Sequence, residues 1–331
     1  MATSSNIPGV PPLAPSGTED VIAGSIPTVA GARAGRRGQG ASTWRAPMAF
    51  LAIPLLLYSM WVIGPLFYTF WMSLTNADGL SDASFIGLDN YRRLMDDEVF
   101  VTSFWNNVRW LGAFLIVPPI AGLGLAMLLN NDLPGVRWIK AGFFSPMVLS
   151  AVVIGAVWTW MYFPQAGLVN STLEILGYSG QRIAWIGDPD LATWSIIGAA
   201  LWRQIGYVMI LYLAGLKNVD TTLVDAAKTD GAGAFRVFKD IILPALSPVT
   251  VIVIVISIID ALRAFDLIQV MTAGGPANQS QVLATWMYRQ AFYNYNMGYG
   301  AAIAVVLMMI SMGFIFLYLY RMVKQEQEAD A

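Results

Sequence analysis

The chain contains no cysteine and no histidine, and only 12% of its 331 residues are charged. Without cysteine there is no disulfide, no thiol nucleophile and no thiolate for zinc. Without histidine the usual imidazole base and haem or zinc ligand are missing too. Hydrolytic and redox chemistry are therefore poor readings, and no catalytic residue, metal ligand or bound cofactor is assigned to this chain. The charged share is about half that of a soluble domain, whereas 56% of the residues are hydrophobic. A chain of this composition has a bilayer for its solvent. The net charge of −2 averages an uneven distribution, and no nucleic-acid partner is expected from it.

What is present is long apolar runs behind a polar start. Residues 1–45 are rich in Gly, Pro, Ala and Ser and carry the run Gly31-Ala-Arg-Ala-Gly-Arg-Arg-Gly-Gln-Gly40. They hold too little apolar surface to offset the entropy of ordering, so a disordered tail is expected. The first apolar stretch opens at Ala46 and is too long for a signal-peptide core. Charge-free windows at Ala46–Ala77, Trp110–Asn131, Ala141–Leu173 and Gln290–Tyr320 each exceed the roughly 20 residues that cross about 30 Å of hydrocarbon. Leu191–Leu216, broken only by Arg203, and Ile241–Met271, with Asp260, Arg263 and Asp266 toward its end, complete a set of six. The fold expected is all-α: a six-helix transmembrane domain over 46–321 followed by a short C-terminal tail at 322–331. Pro54, Pro65, Pro118, Pro119, Pro244 and Pro248 should kink or start helices.

Basic residues set the orientation. With the N-terminus inside, the inner segments carry Arg33, Arg36, Arg37, Arg45, Arg137, Lys140, Lys217, Lys228, Arg236, Lys239, Arg321 and Lys324, and the outer ones Arg92, Arg93, Arg182 and Arg289. Twelve against four places both termini in the cytoplasm. Arg109, Arg203 and Arg263 fall in or at the edge of spans.

The cytoplasmic segment 219–244 reads as a helix, a glycine turn and a second helix. Asp220 can cap the first helix, and Leu223, Ala226 and Ala227 form a slim apolar stripe. Gly231 permits the turn, Phe235, Phe238 and Ile242 give the second helix its apolar face, and Pro244 opens the fifth span. An amphipathic hairpin with small residues at its tip is shaped to enter a groove on another protein.

The spacing Asp225-Ala226-Ala227, three residues, Gly231, nine residues, Ile241-Ile-Leu243-Pro244 resembles the EAA motif of permease subunits of binding-protein-dependent ABC importers. Asp225 stands where that motif has Glu. Phe85-Ile-Gly-Leu-Asp-Asn-Tyr91, Phe265-Asp266, Met271-Thr-Ala-Gly-Gly-Pro276 and Met297-Gly-Tyr-Gly-Ala-Ala302 resemble segments of the maltose and glycerol-3-phosphate branch. The resemblance covers 46–321. It implies a bacterial or archaeal cytoplasmic (inner) membrane subunit that pairs with a second permease and receives a sugar, polyol or glycerol phosphate derivative from an extracytoplasmic binding protein. It further implies a hairpin (Leu223, Asp225, Ala226, Ala227, Asp230, Gly231, Ile241, Leu243, Pro244) that docks on a dimer of ATPase subunits, where ATP and magnesium bind.

Plainer readings stand beside these. The hairpin could lie on the membrane lipid as an amphipathic loop. Asp260, Arg263 and Asp266, at i, i+3 and i+6 on one side of a continuous helix, with Arg203, are either path-lining charges or a structural ion cluster. Trp158 and Tyr162, beside Trp160, read first as an interfacial belt and second as a sugar-stacking platform. The chain has no Gly-Lys dipeptide and hence no phosphate-binding loop of its own, so a motor must be a separate chain. The rival class is an ion-coupled secondary transporter, which could use Asp260 and Asp266 but has no need of the hairpin.

Overall fold

The computed structural model describes residues 45–131 and 134–329. Arg45 apart, the tail expected over 1–45 lies outside them. The chain divides into two units, Met1–Tyr58 and Ser59–Ala331. The described part of the first is one helix, α1 (Arg45–Tyr58), which keeps Pro54 in its interior.

The second unit begins with a π turn at Ser59–Ile63, then α2 (Gly64–Met72), α3 (Asp89–Asp96), α4 (Glu98–Leu129), α5 (Val136–Val148), α6 (Ala151–Met161), α7 (Leu168–Ile175) and α8 (Ala192–Leu216). The hairpin follows as α9 (Thr221–Thr229) and α10 (Ala234–Val237), a π turn at Phe238–Ile242 and the short α11 (Leu243–Ala245). Then come α12 (Ser247–Leu262), α13 (Asp266–Met271), α14 (Leu283–Tyr288), a π turn at Arg289–Tyr293 and α15 (Met297–Ala329). Among the described residues the only β pairing is one antiparallel bridge between Thr75 and Phe85.

Among the described residues four helices are long and apolar enough to cross a membrane: Phe50–Met72, Glu98–Leu129, Ala192–Leu216 and Met297–Phe316. Two bent pairs raise the number to six if each counts as one span. Their bends fall inside two windows read from the sequence as single spans, the second of them with Pro244 and Pro248 expected to kink or start a helix. The window Ala141–Leu173 is not one helix: α5 and α6 meet at 105°. Pro146 removes a ladder bond near the end of α5, Leu149 turns extended, and the Ser150 hydroxyl restarts the chain by accepting from Val153 N. The window Ile241–Met271 bends by 68° between α11 and α12, where Pro248 starts the new helix. Pro244 cannot donate to Asp240, and the wider π turn before it satisfies Leu243 N at Phe238 O instead. Elsewhere α8 matches its window almost end to end, α4 starts twelve residues ahead of Trp110, and α15 starts only at Met297, after the third π turn.

Close backbone approach holds the bundle, as it must where lipid tails remove most of the hydrophobic drive between helices. A Cβ on Gly206 of α8 would overlap the Phe143 carbonyl of α5, and one on Gly122 of α4 would overlap Val208. Gly215 likewise lets Leu246 and Val249 onto α8. α4 and α8 run side by side in one direction. Their pairing buries Ala126, Val208, Met209 and Tyr212 at the hairpin end, and Trp110, Phe114, Ile196 and Ile197 nearer the start of α8, where α6 and α13 join them.

The segments that carry the family resemblance act as clamps. Asn90 donates to both Ser73 O and Thr75 O at 2.9 and 2.8 Å, tying the end of α2 to α3. Gly298 leaves room for the Thr75 carbonyl, and its N–H donates to Ala77 O at 2.9 Å. Thr272 and Ser280 share a hydroxyl bond of 2.8 Å across the loop that contains Gly274, which has φ +87°.

Candidate functional site

Two regions gather the sequence candidates, the hairpin and a polar cavity. In the hairpin the Asp220 carboxylate accepts from the Thr222 hydroxyl and N–H at 2.6 and 2.8 Å, so α9 is capped as expected. Those two bonds hold the Asp220 carboxyl below its usual range. α9 ends at a left-handed Gly231, φ +83°. Gly231 N donates to Lys228 O and Ala232 N to Ala227 O, the paired bonds of a Schellman cap. The turn is thus fixed by hydrogen bonds. Asp225 pairs with Lys228 at 3.3 Å on the exposed side of the same helix, a contact of about 0–1 kcal/mol. Ala227, Asp230 and Ile241 line a hollow between the two arms together with Val237. Leu223 and Phe235, by contrast, stand 57% and 76% exposed.

The cavity, of about 280 Å³, lies between α4, α8 and the end of α12, and Arg203, Asp260, Arg263 and Asp266 all line it. The structure corrects how the last three come together. α12 stops at Leu262, Arg263 to Phe265 leave the helix, and α13 begins at Asp266, so the three do not share one side of a continuous helix. Burial of Ala264, Leu267 and Ile268 in the core beside Ile154 draws the chain aside there. No Pro or Gly marks the break. None of the four carboxylate–guanidinium pairings that Arg203 and Arg263 could make with Asp260 and Asp266 reaches contact distance among the described residues. The charges therefore face the cavity rather than neutralise one another in direct pairs.

Trp110 and Gln204 complete the polar lining and were not expected from the sequence. Among the described residues, Trp110 Nε1, Arg203 Nε and Gln204 Nε2 are buried donors without a hydrogen-bond partner. Such donors cost about 1–3 kcal/mol each when left unmet, so the cavity presents unspent hydrogen-bonding capacity. A second hollow of about 220 Å³, with Gln269, Gln281 and Tyr288 on its wall, adjoins it. The Phe265 and Tyr288 rings, 5.3 Å apart, stand at their shared edge. Trp158 and Tyr162 lie in the neighbouring core, their rings 5.1 Å apart. Tyr162 is buried with its hydroxyl on Ser195 O, and only Trp160 of that aromatic set is fully outward.

A bundle of apolar, bent helices around a charged cavity, with a capped hairpin beside it, defines a membrane transport component. Residues 28–328 match the family of binding-protein-dependent transport system inner membrane components, and the chain belongs to that family. It is 34% identical over 252 residues to the trehalose/maltose transport system permease protein MalF of Thermococcus litoralis, covering 75% of this chain and 84% of that one. It is 33% identical over 246 residues to the xylose/arabinose import permease protein XacH of Haloferax volcanii, covering 73% and 77%. Its fold matches a chain of a bacterial ABC transporter involved in the import of the acidic polysaccharide alginate, with a TM-score of 0.73 at 19% identity over 83% of this chain and 94% of that one. Membership decides for the ABC reading against the ion-coupled secondary transporter and makes the chain a membrane subunit rather than an enzyme.

Proposed function

We propose that this chain and a second, similar permease form the path by which a sugar or related polar solute enters the cell, driven by a separate ATPase dimer. The observation that carries the coupling is the hairpin. Its turn is locked by the Schellman cap at Gly231, yet Leu223 and Phe235 remain exposed on it. A rigid element with uncovered apolar side chains fits a protein cleft better than it fits water. ATP and magnesium belong to the ATPase partner, and this chain binds neither. Six spans with both termini cytoplasmic put the hairpin on the ATPase side and the Gly275 loop on the side of the solute-binding protein.

Sugar as the substrate class is supported by the relatives named for trehalose, maltose, xylose and arabinose import. The cavity agrees with it: amide, indole and guanidinium donors beside carboxylate acceptors suit a hydroxyl-rich solute. ATP hydrolysis then rocks the permease pair between outward- and inward-open states around Arg203, Asp260, Arg263 and Asp266. The test is reconstitution of the chain with its partner permease, ATPase and binding protein in proteoliposomes. Uptake of labelled sugar should require enclosed ATP and the binding protein. Uptake driven by a proton or sodium gradient without ATP would overturn the reading.

A further inference from the structure

One feature of the bundle is used by neither site. A groove of about 530 Å³ opens between α4 and α8, walled by Ile116 and Val117 on one side and Trp194 and Leu201 on the other, with Arg109 at its end. Gly112 provides part of its room, since nothing lies within 4 Å of where a side chain there would start. Apart from Arg109 the wall offers only hydrocarbon, indole and glycine.

Arg109 is exposed, and its Nη1 donates to Asn106 Oδ1 at 2.8 Å. Among the described residues no carboxylate lies within 4.0 Å of it. Its level in the membrane follows from the sequence. The charge-free run Trp110–Leu129 begins at the next residue, and at about 1.5 Å per residue it spans about 30 Å, the thickness of the hydrocarbon. Arg109 therefore stands at the boundary where lipid phosphates lie, with the half-exposed Trp194 beside the same groove.

We propose that this groove is a built lipid site, holding one acyl chain of an anionic phospholipid with its phosphate on the Arg109 guanidinium. The apolar wall takes hydrocarbon, and the unpaired planar cation at headgroup level takes a bidentate oxyanion. A helix of a second copy is a poorer occupant, because of the four long apolar helices three carry no acid to meet Arg109 and the fourth, Glu98–Leu129, carries only Glu98 at its first residue. The site also has a route inward. Asn106, which accepts from Arg109, donates to Gln279 O and Gln281 O at 2.7 and 2.8 Å. Thr193 of α8 holds the same Gln279 carbonyl at 3.1 Å. A phosphate that fixes Arg109 thereby braces the tops of both helices and the loop beside the solute cavity.

The test uses the full importer with its partner subunits. Native mass spectrometry with added phosphatidylglycerol should find a retained lipid in the parent complex. Arg109→Gln should weaken that retention roughly tenfold, in keeping with loss of a charge-assisted phosphate contact of about 1.4 kcal/mol. Gly112→Leu, which fills the groove and leaves Arg109 in place, should expel the lipid as well. A photo-crosslinking side chain at Ile116 of the otherwise unaltered chain should yield a lipid adduct. Equal retention in both variants, or an adduct to the partner permease in place of lipid, would overturn the proposal.

Discussion

Tyr299 donates its hydroxyl to the Asp97 carboxylate at 2.5 Å, closing a contact between residues 202 apart in the chain. The same carboxylate accepts from Trp286 Nε1 at 2.9 Å, and its other oxygen caps α4 by accepting from Val99 N and Phe100 N. One half-buried acid thus ties the start of α4 to α14 and α15. Asp97→Ala removes the cap and strands two donors, a combined loss of about 2–4 kcal/mol. Tyr299→Phe removes one bond and should cost about 1 kcal/mol. Thermal unfolding of the purified complex should rank the variants in that order, and equal midpoints would refute the hub.

The glycines divide into two classes by what surrounds them. Gly206→Ala and Gly298→Ala would each drive a methyl group into a backbone carbonyl, of Phe143 and Thr75 respectively. Both should lower the recovery of folded complex severalfold. Gly124 has nothing within 4 Å, so Gly124→Ala should be neutral or gain up to about 1 kcal/mol from helix propensity. Yields measured by size-exclusion chromatography check the contrast.

At the cavity, Gln204→Leu removes a buried amide that lines it with Asp260 and whose Nε2 makes no hydrogen bond of normal geometry among the described residues, so assembly should not suffer. Arg203→Met removes the guanidinium that faces the cavity with Asp260. Both variants should assemble, keep ATP hydrolysis and lose most solute uptake. Parent-level uptake in both would move the path elsewhere in the bundle.

Gly231→Val forces a β-branched residue into the left-handed region, at a cost of about 1–2 kcal/mol, and opens the Schellman turn. ATP hydrolysis should then lose its stimulation by loaded binding protein. Gly233→Ala is the control, since that backbone is extended at φ −68° and the site is open. If both variants keep full stimulation, the hairpin is not the coupling element.

The Asp220 cap gives a pH dependence with a definite sign. Its folded carboxyl titrates below the ordinary value of about 3.9. Its contribution is therefore fully present above that pH and is lost as pH falls through the lower folded value. Protection of the Thr222 and Leu223 amides, measured by hydrogen exchange, should hold at pH 4 and fall in more acid solution. Asp220→Asn caps without titrating and should abolish that fall; an unchanged acid response in it would reassign the effect.

The sequence alone determined the bilayer as solvent, the helical class and the hairpin. Each of these rests on local chemistry: charge-free runs of spanning length, an Asp cap, and a Gly at a left-handed turn. Gly231 and Asp220 do what their types dictate wherever the surrounding chain lies. Tertiary structure decided what local chemistry could not. The chain breaks at Arg263 without Pro or Gly because burial of Ala264 and Ile268 demands it, and that break turns three charges on one helix side into the wall of a cavity. Gln204 and Trp110 look like ordinary span residues until α12 leaves their N–H groups facing an open space. The Asp97–Tyr299 bond was equally out of reach, because a contact across 202 residues leaves no periodicity in the sequence.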